Sequence, residues 1–83
     1  MTGERHAGFL TVAMVKAGYV DQWAKLTPAG KVTVELRFDS VRDVFLVTRT
    51  VEDGVGTSRR ESAHRYLSDA HTVFTKYTLT EYR

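Results

Sequence analysis

The chain contains no cysteine and only one proline, Pro28, in 83 residues. The absence of cysteine excludes disulfides, thiolate metal ligands and a cysteine nucleophile. Small secreted domains commonly depend on disulfides, so this composition favours a cytoplasmic location. The apolar stretch at residues 7–15 is far shorter than the roughly 20 residues that a membrane span needs, and we expect no interaction with a membrane.

Isoleucine and asparagine are also absent, whereas the chain has 11 valines and 8 arginines against 4 lysines. This bias is typical of a GC-rich coding sequence. Together with the small size of the chain, it suggests a phage or mobile-element product.

The length predicts a single domain over residues 1–83. A chain of this size buries only roughly 60% of the surface that it exposes when unfolded, so its core is small. A second copy or a partner would add buried surface, and we therefore expect that the chain can form a homo-oligomer.

The middle of the chain predicts a β-hairpin. Residues 31–38 alternate apolar and polar side chains, which is typical of a half-buried strand, and residues 43–51 form its partner after a polar turn. The second strand is apolar on both faces. The sheet is therefore expected to be covered on both faces or to pair with another copy, and Val44 and Leu46 are candidate exposed contact residues.

The C-terminal part predicts a long amphipathic helix over residues 58–76. Ser58 and Glu61 fit a capping box, in which each side chain bonds the other residue's backbone N–H. Residues 77–82 alternate in a way that predicts a final strand. Apolar residues recur at helical spacing behind the capping box: Ala63, Tyr66, Leu67, Ala70, Val73, Phe74 and Tyr77.

The N-terminal part allows two interpretations. Residues 7–17 fit a helix ended by Gly18, which we prefer, but also fit a central strand; residues 21–26 predict at most a short helical turn. The resulting fold class is α+β, with a small antiparallel sheet, a long C-terminal amphipathic helix and an N-terminal helix. The alternative is a ferredoxin-like βαββαβ arrangement.

No metal, cofactor or catalytic site is predicted. On one helix, His64 and His71 would lie about 10.5 Å apart along the axis, too far to share a zinc ion. Gly54-Val55-Gly56 lacks the third glycine of a dinucleotide-binding loop. No nucleophile motif surrounds any serine.

The basic residues of the predicted helix are the candidate binding site. Arg59 and Arg60 fall in its first turn, where the helix dipole disfavours cations and free backbone N–H groups attract anions. Arg60, His64 and His71 then line one side of the apolar stripe, with Arg65 toward the back. Residues 58–77 carry four Lys/Arg against two Asp/Glu, which equals the whole formal excess of +2.

These observations predict a non-catalytic macromolecular interaction module. A protein partner is favoured over nucleic acid, because a net charge of +2 is small for a domain that neutralises several phosphates. Such a module would be a small modulator or inhibitor that docks through the basic second helix and the sheet surface. The alternative is a nucleic-acid-binding protein that contacts the phosphate backbone through the same arginines.

Overall fold

A computed structural model describes the backbone of residues 11–81 and the side chains as far as Leu79. It shows the predicted α+β arrangement, with a four-stranded antiparallel sheet in which the strands lie side by side in chain order. The elements are α1 (Val12–Lys16), β1 (Asp21–Thr27), β2 (Gly30–Asp39), β3 (Val44–Glu52), β4 (Thr57–His64) and α2 (Leu67–Glu81).

The core lies on one face of the sheet. Successive strand residues point to opposite faces, and residues paired across antiparallel strands share a face. Both helices lie on the same face, here called the helix face, while within residues 11–81 no helix covers the other, here called the open face. The buried core consists of Val15, Trp23, Val32, Val34, Leu36, Phe45, Val47, Ala70 and Phe74.

The first helix ends as its sequence predicts. Gly18 adopts a φ of 114°, which a residue with a Cβ rarely reaches. The N–H of Gly18 donates to the carbonyl of Val15, and that of Tyr19 donates to the carbonyl of Met14, both at 3.1 Å. This is the Schellman pattern. Residues 7–10 of the predicted helix lie outside the described part of the chain, and its remainder is helical over Val12–Lys16.

The predicted hairpin is confirmed, and it is one of three in a meander. β2 pairs with β3 from Lys31 opposite Glu52 to Asp39 opposite Val44. Short turns join β1 to β2 and β3 to β4. In the second, the Asp53 carboxylate accepts from the N–H groups of Val55 and Gly56, both at 2.9 Å.

Residues 21–26 form a strand, not the predicted helical turn. β1 pairs with β2 over its whole length, and its burial alternates with period two at its start. Asp21 and Trp23 are buried on the helix face, whereas Gln22 and Ala24 are exposed on the open face. Hydrogen bonds to β2 and the burial of Trp23 outweigh the weak local preference for a turn.

The first seven residues of the predicted C-terminal helix are also a strand. Residues 58–64 lie in β4 and pair with β3. The helix begins only at Leu67, so the capping box of Ser58 and Glu61 does not form. β4 is polar on both faces, so it shows no apolar alternation, and its pairing with β3 decides its conformation.

The apolar stripe of α2 is confirmed from Leu67 onward. Ala70 and Phe74 are fully buried, and Leu67, Val73 and Tyr77 pack beside them. Tyr66, in contrast, is 62% exposed. The predicted C-terminal strand is wrong, because the helix continues through residues 77–81.

The structure covers only one face of the sheet within residues 11–81, and the alternative, pairing with another copy, stays a prediction. Both described helices pack on one face, so within residues 11–81 the sheet has a helix layer on one side only. Leu46, expected to be an exposed contact residue, is buried at 2% exposure, and Val44 is half-buried. No helix in the described range is long and apolar enough to cross a membrane.

Candidate functional site

The structure distributes the five predicted site residues over three elements. Arg59 and Arg60 are consecutive strand residues and therefore point to opposite faces of β4. His64 ends the same strand on the side of Arg60, Arg65 lies exposed in the turn that follows, and His71 is half-buried on α2. The predicted helical patch is therefore wrong in its geometry, because its members do not lie on one helix.

A different group of arginines comes together on the open face around Glu61. The guanidinium of Arg59 lies 3.2 Å from the Glu61 carboxylate, and those of Arg37 and Arg42 each lie 3.9 Å from it. The Thr48 hydroxyl also donates to Glu61, at 3.4 Å. The three arginines belong to β2, the β2–β3 turn and β4, and their guanidinium groups all lie near one carboxylate, that of Glu61. We call Arg37, Arg42, Arg59 and Glu61 the arginine cluster.

Two further carboxylates contact arginines of the arginine cluster. Glu35 lies 3.5 Å from Arg37, and Asp39 lies 2.9 Å from Nε of Arg42. The open face with the β2–β3 turn therefore has four cations and five carboxylates, a net charge of −1. These are Lys31, Arg37, Arg42 and Arg59 against Glu35, Asp39, Asp43, Glu52 and Glu61.

Asp39 organises the turn that supplies Arg42. Its Oδ1 accepts from the backbone N–H groups of Val41 at 3.0 Å and Arg42 at 3.3 Å, while its Oδ2 accepts from the Arg42 side chain. The side-chain hydrogen bond is the main reason that the pKa of Asp39 lies below its ordinary value, and the backbone bonds add to it. Asp43 closes the turn at a φ of 57°, which aspartate tolerates better than most residues.

These contacts predict how the turn responds to acid. An unfolded aspartate titrates near 3.9, and the folded pKa of Asp39 is lower. The stabilising contribution is therefore complete above that unfolded value and is lost as the pH falls through the folded pKa. An NMR titration of the Asp39 carboxyl carbon should show a midpoint below about 3.9.

Arg42→Ala should raise that midpoint toward the unfolded value, because it removes the side-chain donor and leaves the backbone donors. Arg65→Ala, in the exposed turn after β4, is the matched control and should leave the midpoint unchanged. A midpoint in Arg42→Ala equal to that of the wild type would contradict the assignment of the side-chain bond as the main cause.

On the helix face, a second pair of arginines occupies the margin of the sheet. Arg49 of β3 lies directly opposite Arg60 of β4, in the row that begins with Trp23 and Val34. Like charges directly opposite each other in a sheet destabilise it. Arg49 is half-buried and Arg60 is exposed, so the pair lies at the margin of the helix layer.

Ser62 and His64 form a contact that resembles catalytic chemistry. The Ser62 hydroxyl lies 2.8 Å from Nε2 of His64, within hydrogen-bond distance. A serine nucleophile also needs an orienting group on the histidine and donors for an oxyanion. Among residues 11–81, the structure records no carboxylate bonded to this histidine, so the contact carries no catalytic assignment.

The open face has a shallow depression of about 230 Å³, lined by Thr33, Glu35, Thr48, Thr50 and Arg59. Hydroxyl and charged groups form its walls, so it offers hydrogen bonds and little apolar contact. In the described range, no group of three or more potential protein ligands lies close enough together to hold a metal ion.

Sequence reasoning found Arg59 and missed its partners. The alternation of residues 31–38 already places Glu35 and Arg37 on one polar face, so one of the four residues of the arginine cluster, Arg37, had a signal. No local pattern shows that Glu61 joins them, because that depends on β4 pairing with β3.

Comparisons with models of protein families, with curated proteins and with solved structures find no match to this chain.

Proposed function

We propose that this chain is a non-catalytic module that binds a protein partner through the open face of its sheet. The observation that carries the proposal is the arginine cluster. Its guanidinium groups lie beside carboxylates that restrict their rotamers, which reduces the side-chain freedom lost on binding. Arginine is also enriched in protein interfaces, where its planar group bonds and stacks at once.

The charge balance of the open face favours protein over nucleic acid. A phosphate backbone is held by an excess of cations that displace its counterions. The open face has no such excess, and Arg59 is engaged by Glu61. A face with alternating signs and central threonines suits the mixed polar surface of another protein. We place this interaction in the cytoplasm, in keeping with the cysteine-free composition, and suggest that the module modulates its partner.

A bulky charge at the centre of the open face tests the proposal. Thr33→Arg introduces a long cation beside Thr50 in the shallow depression. The tagged chain should capture a specific protein from lysate of the source organism, and this variant should weaken the capture by about tenfold or more. Thr72→Arg, on the exposed side of α2, is the matched control and should bind like the wild type.

Circular dichroism must show that the variants fold, and Thr50→Arg replaces Thr33→Arg if that variant does not. Unchanged capture by the folded open-face variant would refute the proposal. Capture that disappears after nuclease treatment, with a salt-sensitive mobility shift on random DNA or RNA, would instead favour the nucleic-acid alternative.

A further inference from the structure

β4 is an edge strand whose outer side is open in the described part of the chain. It pairs with β3 on one side, and within residues 11–81 no strand lies on the other. Such an edge presents a row of backbone N–H and C=O groups that another strand can pair with. All five residues from Thr57 to Glu61 are exposed, on both faces. At the opposite edge, β1 has two buried side chains on the helix face, Asp21 and Trp23, whereas its open face is exposed.

The charges of β4 determine which strand fits beside it. Arg59 presents its charge on the open face and Arg60 on the helix face, with Arg49 directly behind Arg60. A strand added to β4 would place one side chain opposite each of them, with Cβ atoms roughly 5 Å apart. Two consecutive acidic residues would therefore meet Arg59 on one face and Arg60 on the other.

In the register centred on Arg60, a second copy of this chain fits the same edge poorly. An antiparallel pair of β4 strands centred on Arg60 would set Arg59 of each copy opposite Glu61 of the other. It would also set the two Arg60 side chains against each other, with Arg49 behind each, and so form a row of four arginines. Like charges directly opposite each other oppose pairing.

We propose that β4 accepts an extended segment of a partner protein as a fifth strand, selected by two consecutive carboxylate side chains. The inference rests on the proposed function, since it names the chemistry of the protein that is bound. Main-chain hydrogen bonds stabilise any added strand. Contacts between the two arginines and the carboxylates favour an acidic segment over other segments. On the helix face, the short side chains of Ser58 and Ser62 flank Arg60 and leave room for an incoming side chain, whereas on the open face Arg59 lies between Thr57 and Glu61.

A peptide titration of the full-length isotope-labelled chain tests the inference. The probe is a capped peptide of eight residues, Thr-Val-Thr-Glu-Glu-Thr-Val-Thr, and the matched peptide has Lys-Lys at its centre. The Glu-Glu peptide should shift the amide signals of residues 57–62 with a dissociation constant of about 1 mM or tighter. The Lys-Lys peptide should not bind.

Arg60→Glu should weaken binding of the Glu-Glu peptide by about tenfold, and it should fold because the new carboxylate faces Arg49. Arg65→Glu, outside β4, is the control and should bind as the wild type does. Equal binding of both peptides, or no shifts at residues 57–62, would overturn the inference.

Two other results would also overturn it. Signals of β4 that move with protein concentration alone would identify a second copy as the occupant, and shifts with a single-stranded oligonucleotide but neither peptide would identify nucleic acid. If the Glu-Glu peptide does not bind while Thr33→Arg still weakens capture, the inference about the β4 edge is refuted and the open-face proposal is retained.

Discussion

Replacing Phe74 with alanine is expected to remove a large part of the folding free energy of this protein. Phe74 is fully buried at the centre of α2, against the helix face of the sheet. Truncation of a buried phenylalanine costs about 3 to 5 kcal/mol, since apolar contact is lost and a cavity remains. Small domains have about 0.05 to 0.15 kcal/mol of stability per residue, so the loss is comparable with the total.

Urea unfolding followed by circular dichroism measures this effect. Leu79→Ala is the matched control, because Leu79 lies on the same helix and is 57% exposed. It should change the free energy of unfolding by about 0.5 kcal/mol or less. A Phe74→Ala protein within about 1 kcal/mol of the wild type would mean that α2 does not close the core.

Gly30→Ala is expected to destabilise the protein by about 2 to 4 kcal/mol, the second largest effect. Gly30 follows the turn at Pro28 and adopts a φ of 133°. A Cβ at this position would lie 2.9 Å from the Cα of Asp53 and closer still to the Glu52 carbonyl oxygen. Both neighbours are backbone atoms, so the β1–β2 turn and the end of β3 would have to separate.

Gly54→Ala distinguishes backbone strain from steric contact as the cause of the stability lost in Gly30→Ala. Gly54 also has a positive φ, 86°, but a Cβ there would meet nothing within 4 Å. Its substitution should therefore cost only the backbone strain, about 1 kcal/mol. Urea midpoints compare the two variants. Equal losses at both positions would contradict the close backbone approach at Gly30 as the larger cause.

The correct predictions came from local patterns with a strong physical cause. The alternation of residues 31–38 predicted β2, and Gly18 predicted the end of α1. Helical spacing predicted that Ala70 and Phe74 face the core. Each of these features depends on residues close in sequence, whose periodicity or backbone freedom favours one conformation.

The incorrect predictions concern segments whose conformation depends on a neighbour. Residues 58–64 contain serine, arginine and glutamate in an order that also fits the start of a helix. β4 lies at the edge of the sheet, outside the helix layer, and needs no apolar face. Its sequence therefore shows no alternation of apolar and polar residues. The binding site was predicted in the wrong place for the same reason. On a helix, Arg59 and Arg60 would be neighbours, whereas on a strand they point to opposite faces.

The sequence by itself determined an α+β chain with a central hairpin, a C-terminal helix stripe and a small excess of arginine, because composition and periodicity are local properties. Only the tertiary structure decided that β1 and β4 are strands and that Arg37, Arg42 and Arg59 meet at Glu61. The physical reason is register: pairing with β3 sets which residues of β4 share a face with those of β2. That pairing depends on backbone hydrogen bonds, which no side-chain pattern in β4 encodes.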